Sequence, residues 1–361
     1  MSSFVYILII FLIIYGLLSF YVGYNGWIWL NRTFSFKYKK SYIIFIILLA
    51  SSPLIDRVFT SKIFVIISGM WMVIVGYSII LLPLANLIYF LLRKKGIRTI
   101  GSMIIAYFIF VFTYGSYLAW TPTIKTYDIQ VNKESDIEEL TVLLVSDLHL
   151  GKTVGKNHLQ KLVDITKKSD ADMILMPGDI INDDIEPFLK QNMGELFAEI
   201  RAPLGVYVTS GNHDYYGGDL ERLFQEMDKA GVTMLDDEVI LIEDSIYIVG
   251  RNDSTDEQRK SIEELIADVD LNKPVIMLDH QPTELDEASK HGVDIIVSGH
   301  THRGQIWPAN LITQLIYEND YGHLQKDNLH SIVTSGFGLW GPPFRLGSQA
   351  EVIELNITFV K

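Results

Sequence analysis

The chain has 361 residues, 49% of them hydrophobic, no cysteine and a formal net charge of −13. Residues 1–120 carry ten Lys or Arg against a single acid, Asp56, for a charge of +9, and residues 121–361 carry −22 together with all nine histidines. The missing cysteine excludes a disulfide scaffold, a cysteine-bearing zinc site and a cysteine nucleophile, and a −22 segment is not built to grip nucleic-acid phosphates.

No charged side chain precedes Arg32, and residues 4–24 form a nearly unbroken apolar run. A crossing of the bilayer needs about 20 such residues, so this run is predicted to span. Further spans are expected at 42–58, 63–92 and 100–120, making residues 1–120 an all-α transmembrane anchor of about four helices. The second run is the shortest and contains Pro53; the third contains Pro83, which can kink a helix. A cleavable signal peptide is not expected, because no basic residue precedes the first run and further apolar runs follow it. Arg32, Lys37, Lys39 and Lys40 follow the first span, and Arg93, Lys94, Lys95 and Arg98 follow the third. Only Arg57, Lys62 and Lys125 fall on the other side. Basic loops stay inside, so both termini, and the acidic domain with them, are expected outside the cytoplasm of a multi-pass cell-membrane protein. No ionisable residue sits in mid-span, which favours anchorage over transport.

Residues 121–140 are expected as a linker with room for an opening strand, and residues 141–361 as a layered α/β domain. Short apolar runs at 142–145, 173–176, 206–208, 275–278 and 295–297 read as strands buried on both faces. Helical patterns at 157–168, 220–230 and 261–269 alternate with them. Each strand run leads into a polar turn: Asp147-Leu148-His149, Gly178-Asp179, Gly211-Asn212-His213-Asp214, Asp279-His280 and Gly299-His300-Thr301-His302. Ligands of open α/β sheets collect at the carboxyl ends of strands, and Asp, His and Asn without sulfur compose a divalent-metal site. If residues 147–149 are extended, Asp147 and His149 point to the same side and can reach one ion. Seven or eight such donors exceed the needs of one ion but suit two sharing a carboxylate, about 3.5–4 Å apart.

The ordered set D-x-H, GD, GNHD, H and GHTH resembles the calcineurin-like metallophosphoesterase family over residues 141–357, and in particular its membrane-anchored bacterial branch. The later stretch Ser335-Gly336-Phe337-Gly338-Leu339-Trp340-Gly341-Pro342-Pro343-Phe344-Arg345 is similar too. The resemblance implies a two-sheet αββα sandwich and two divalent ions (Mn, Fe, Zn or Co). It assigns Asp147, His149, Asp179 and His302 to the first ion and Asp179, Asn212, His280 and His300 to the second. His213 is implied to face the scissile phosphoester, with Asp214 orienting it by hydrogen bond. The implied reaction is hydrolysis of a phosphomonoester or phosphodiester by a hydroxide bridging the two ions. The competing reading is a metal-binding sensor or regulatory module on a four-span membrane protein, without turnover; an intact His213 speaks against it.

Arg303, where many relatives have Gly, and Arg345 are candidates for a substrate phosphate or headgroup, since guanidinium matches phosphate geometry. His158, His291 and His330 are expected to be structural, and His323 is a weaker candidate for the pocket lining. Asn182-Asp183-Asp184 is expected as a helix cap or solvated loop. The expected partners are the lipid bilayer and a phosphoester substrate, with a phospholipid or polyprenyl-phosphate derivative preferred.

Overall fold

The computed structural model describes residues 3–58 and 61–360. It divides into two compact units, one of residues 1–115 with 341–343 and the other of 116–340 with 344–361.

The first unit contains α1 (Ser3–Phe34), α2 (Lys39–Val58), α3 (Lys62–Leu91) and most of α4 (Ile97–Trp120). Among the described residues, three helices are long and apolar enough to cross a membrane: Val5–Phe34, Lys62–Leu91 and Ile97–Trp120. The four expected crossings are thus four helices, three of which meet that measure. The exception, α2, has 20 residues. That is about 30 Å of helix, but lysines at its start and Ser51, Ser52 and Pro53 dilute its apolar run. The first helix runs ten residues past its expected end, because Asn25 and Asn31 cap their polar side chains on Tyr21 O and Phe36 O rather than breaking the helix.

The second unit holds twelve strands: β1 (Thr123–Val131), β2 (Glu139–Leu144), β3 (Met173–Pro177), β4 (Val206–Thr209), β5 (Thr233–Met234), β6 (Glu238–Ile242), β7 (Ile246–Arg251), β8 (Val275–Asp279), β9 (Ile295–Ser298), β10 (Gly322–Lys326), β11 (Leu329–Val333) and β12 (Glu351–Phe359). They form two six-stranded sheets, in the orders β1-β12-β2-β3-β4-β5 and β10-β11-β9-β8-β7-β6. The helices are α5 (Lys156–Thr166), α6 (Glu186–Lys190), α7 (Met193–Phe197), α8 (Asn212–Tyr216), α9 (Leu220–Lys229), α10 (Ile262–Ile266), α11 (Leu285–Lys290) and α12 (Asn310–Ile316).

Alternation along the strands explains both the layers and the unbroken apolar runs. Val142 and Leu144 of β2 face the other sheet, in one core with Ile248, Ile276, Leu278 and Val297. Leu143 and Val145 face outward instead, onto Leu159 and Leu162 of α5 and Phe197 of α7. The second sheet does the same, with Met277 and Ile296 packed on Ile262, Leu265 and Leu285 of α10 and α11. Every central strand is covered twice, so both of its faces must be apolar, and the architecture is an αββα sandwich.

Residues 121–140 are more structured than a linker. Residues Thr123–Val131 pair in parallel with β12 along their whole length, leaving only Thr121 and Pro122 between α4 and the sheet. The strand lies at a sheet edge, where alternate residues such as Thr126, Asp128 and Gln130 meet water, and that polar alternation is also the pattern of a connector.

Candidate metal centre

The carboxyl ends of β2, β3, β4, β8 and β9 converge where the two sheets meet. Asp147 and His149 follow β2, Asp179 follows β3, Asn212 and His213 open α8 after β4, His280 follows β8, and His300 and His302 follow β9. The extended geometry expected for residues 147–149 is not what brings these groups together. Asp147 (φ 54°), His149 (φ 44°), Asp179 (φ 55°), His300 (φ 67°) and His302 (φ 47°) all adopt left-handed backbone. Such conformations cost of order 1–3 kcal/mol each and persist where surrounding structure over-determines them, typically at functional sites. Here the loops lace together: Asp147 N donates to Gly178 O, and His149 N to Asp179 O. Gly299 is required by close approach, since a Cβ there would sit 2.0 Å from Ser146 Oγ and 2.2 Å from Asp147 Oδ2.

Two groups of donors result, joined at Asp179. In one, His149 Nε2 and His302 Nε2 lie 2.9 Å apart, His302 Nε2 is 3.3 Å from Asp147 Oδ1, and His149 Nε2 is 3.6 Å from Asp179 Oδ2. In the other, His280 Nε2 is 3.2 Å from both Asp179 Oδ2 and Asn212 Oδ1, and His300 Nδ1 is 2.9 Å from Asn212 Oδ1. His280 turns its Nδ1 to donate to Pro177 O at 2.9 Å, which leaves Nε2 aimed at the centre.

The electrostatics suit cations. Burial pushes Asp147 up to about 6, and nearby Asp179 adds to the rise. Its donors are only Ser146 Oγ and His300 N, and no Lys or Arg pairs with either carboxylate among the described residues. Burial depresses His149 to about 3, His300 to about 4 and His302 well below the usual histidine range. These rings are therefore neutral at physiological pH, with lone pairs free for a metal. Burial works against a charged His280, yet the Asp179 carboxylate outweighs it and holds that ring well above its ordinary value. Buried carboxylates with no Lys or Arg beside them, facing three neutral imidazoles, the His280 ring and an amide oxygen with no sulfur, fit divalent ions of the Mn, Fe, Zn and Co type. Asp147, His149 and His302 form one group able to hold an ion, and Asp147, Asp179 and His280 another.

His213 also lies close to His149 and Asp179, but its Nδ1 is bonded to Asp183 Oδ1 at 2.6 Å, and its backbone N donates to Asp179 Oδ1. Burial would lower its pKa, but the Asp183 hydrogen bond and the Asp179 charge raise it overall. The ring borders a cleft of about 400 Å³ shared with Tyr216, Trp340 and Ile312.

Three expected roles change. Asp214 does not touch the His213 ring; its carboxylate accepts Gly211 N, Ile180 N and Ile181 N. From within α8 its carboxylate points back to the loops after β3 and β4, and burial pushes it up to about 7. Asp183, expected in a cap or solvated loop, holds His213 instead. The sequence signal for it was faint: a second carboxylate pair four residues after Asp179. Arg345 is fully buried, where it donates to Ser335 O, Gly336 O and Gly338 O, with Nη2 3.4 Å from His302 Nδ1. It braces the loop behind the centre and is not part of the cleft lining. Arg345→Met should therefore leave Ser335 O and Gly338 O unpaired, since Gly336 O keeps the Glu351 N–H, and cost about 2 kcal/mol or more, measured by thermal unfolding of the detergent-solubilised chain; an unchanged Tm would remove the bracing role.

Arg303 lies over the Tyr321 ring, 4.4 Å from its centroid, and is not part of the cleft lining. Neither is His323, which stacks on His330. His158 donates to Phe337 O, and His291 pairs with Glu287. Asp279, adjacent to His280, turns away to Arg251 at 3.1 Å.

The calcineurin-like phosphoesterase family matches residues 140–304. A metallophosphoesterase of Aquifex aeolicus is 31% identical over 241 residues, covering 65% of this chain and 91% of that protein. A metallophosphoesterase of Helicobacter pylori strain J99 is 29% identical over 242 residues, covering 65% of this chain and 64% of that one. A zebrafish transmembrane protein with a metallophosphoesterase domain is 28% identical over 254 residues, covering 66% and 57%. The chain thus spans under two thirds of the length of the last two relatives. The chain belongs to the calcineurin-like phosphoesterase family.

Proposed function

We propose that this protein is a membrane-anchored, binuclear metal-dependent phosphoesterase that hydrolyses a phosphomonoester or phosphodiester, with a lipid or cell-envelope phosphate as the preferred class. The observation that carries this reading is the pair of donor groups sharing Asp179 beside a His213 that is held by Asp183. Asp147, His149, Asp179 and His302 would hold one divalent ion, and Asp179, Asn212, His280 and His300 the other. Bound divalent ions supply charge that neutralises phosphate oxygens and acidifies water. The chain's own part is to orient and to move a proton. Asp183 fixes the Nδ1 side of His213, so Nε2 faces the cleft and can donate to the departing alkoxide. A sensor without turnover would have no use for that pairing.

The catalytic domain is proposed to lie outside the cytoplasm. Eight basic residues fall in the two segments after α1 and α3, and α2, which packs against α3, completes the alternation that puts both inside. Intact cells producing the chain should therefore cleave added bis(4-nitrophenyl) phosphate, a charged diester, in the presence of Mn²⁺, and lose that activity on chelation. Activity only after permeabilisation would reverse the sidedness; none in either state would defeat the phosphoesterase reading.

A further inference from the structure

One wall of the cleft differs from the rest of the domain surface. Residues 304–317 include no charged side chain, and α12 within them buries none of its residues. Leu315 is 87% exposed, Ile316 65% and Ile312 59%, with Leu311 and Trp307 exposed as well. Leu311, Ile312, Leu315 and Ile316 recur at helical spacing and share one face. Thr313, on the opposite side, bonds to Asp320 Oδ2 and Asn310 O. The helix is thus inverted relative to ordinary surface helices, with its apolar face toward solvent. That face is continuous with the catalytic cleft, whose lining includes Ala309, Ile312 and Thr313 as well as His213 and the exposed Trp340.

The tether says what can cover it. Only Thr121 and Pro122 separate α4, a helix of membrane-spanning length and apolarity, from β1. Two residues reach at most about 7 Å, so the domain's first strand begins that close to the end of a helix of membrane-spanning length. A helix that turns Leu and Ile outward and its polar Thr313 inward, beside a Trp, presents an apolar face of the kind that beds at a membrane interface. We propose that the outward face of α12 lies in the lipid surface and that the site draws its phosphoester from the bilayer, the lipid chain resting on α12 and the phosphate reaching the Asp/His cluster. This rests on the phosphoesterase reading for its catalytic half alone.

The chain has no cysteine, so Leu315→Cys gives one position for a nitroxide label on the full protein in phosphatidylcholine vesicles. The label at 315 should be more accessible to oxygen than to a water-soluble nickel complex, and one at Glu263→Cys, on exposed α10, should show the reverse. A label at 315 that behaves like the one at 263 would overturn the proposal, as would dipolar broadening that reveals a second copy on this face. In the same vesicles with Mn²⁺, Leu315→Asp should slow hydrolysis of hexadecyl 4-nitrophenyl phosphate about tenfold and leave ethyl 4-nitrophenyl phosphate unaffected. Equal loss on both esters, or no loss on the hexadecyl ester, also overturns it. If the unsubstituted chain cleaves neither ester, the phosphoesterase reading fails, and the label still decides whether α12 lies in lipid.

Discussion

Asp179→Asn is expected to lower phosphoester hydrolysis by roughly 10³-fold or more and to strip metal from both halves of the centre. Asp179 Oδ2 lies 3.2 Å from His280 Nε2 and 3.6 Å from His149 Nε2, so one carboxylate serves both donor groups. Its Oδ1 also accepts the His213 backbone N–H at 2.8 Å. An amide keeps the shape but removes the negative charge and turns an N–H₂ toward one of these partners. Burial would raise the Asp179 pKa, but the charge and hydrogen bond of His280 hold it well below the usual carboxylate range. Metal content by elemental analysis and the rate on a chromogenic ester check this together. A variant that keeps both its metal and its rate would mean that Asp179 is not shared.

His213→Ala should cost about 10²–10⁴-fold in turnover with the metal content unchanged, since the ring hangs on Asp183 and its loss leaves the other donors in place. If it protonates the leaving group, the loss should be far larger for an alkyl ester than for a 4-nitrophenyl ester, whose leaving group departs without a proton. Equal losses on both would make His213 a phosphate contact rather than an acid. Asp183→Asn should follow the same leaving-group pattern at a smaller size, about 10–100-fold, as expected for a residue acting through another. Asp214→Asn should show no such pattern, because its carboxylate meets three backbone N–H groups and no part of the His213 ring.

The contrast between Asp183 and Asp214 shows where the sequence is a good guide. Asp214 adjoins His213 in the chain, and adjacency suggested contact. In the structure α8 begins at Asn212, so consecutive side chains diverge by about 100°, and Asp214 turns to the interior while His213 faces the cleft. Asp183, 30 residues away in sequence, comes within 2.6 Å because the β3 and β4 loops lie side by side. Arg345 misled in the same way. A guanidinium near a glycine-rich turn suits a phosphate, but only the packed loop reveals the inward carbonyls of Ser335, Gly336 and Gly338 that accept from its N–H groups.

Much else was legible because it follows from local rules. Strands buried on both faces must be continuously apolar, so the five central runs at 142–145, 173–176, 206–208, 275–278 and 295–297 could be located without knowing their partners. The long apolar runs marked helices for the same reason, and the polar turns after the strands marked one edge of the sheets. The edge strand β1 escaped because its alternating, half-wet pattern is also that of a connector.

What the sequence by itself determined, then, is the apolar N-terminal unit, the layered α/β domain, the family and the inventory of Asp, His and Asn at the strand ends. Each depends on composition, periodicity and order along the chain, which survive without coordinates. Only the tertiary structure decided which carboxylate holds His213, how left-handed turns aim the donors, that Arg345 is a buried brace, that two residues tether the domain to α4, and that α12 turns its leucines and isoleucines outward. Those depend on which loops become neighbours and which face of a short helix meets the core, and packing sets both in ways that no local pattern encodes.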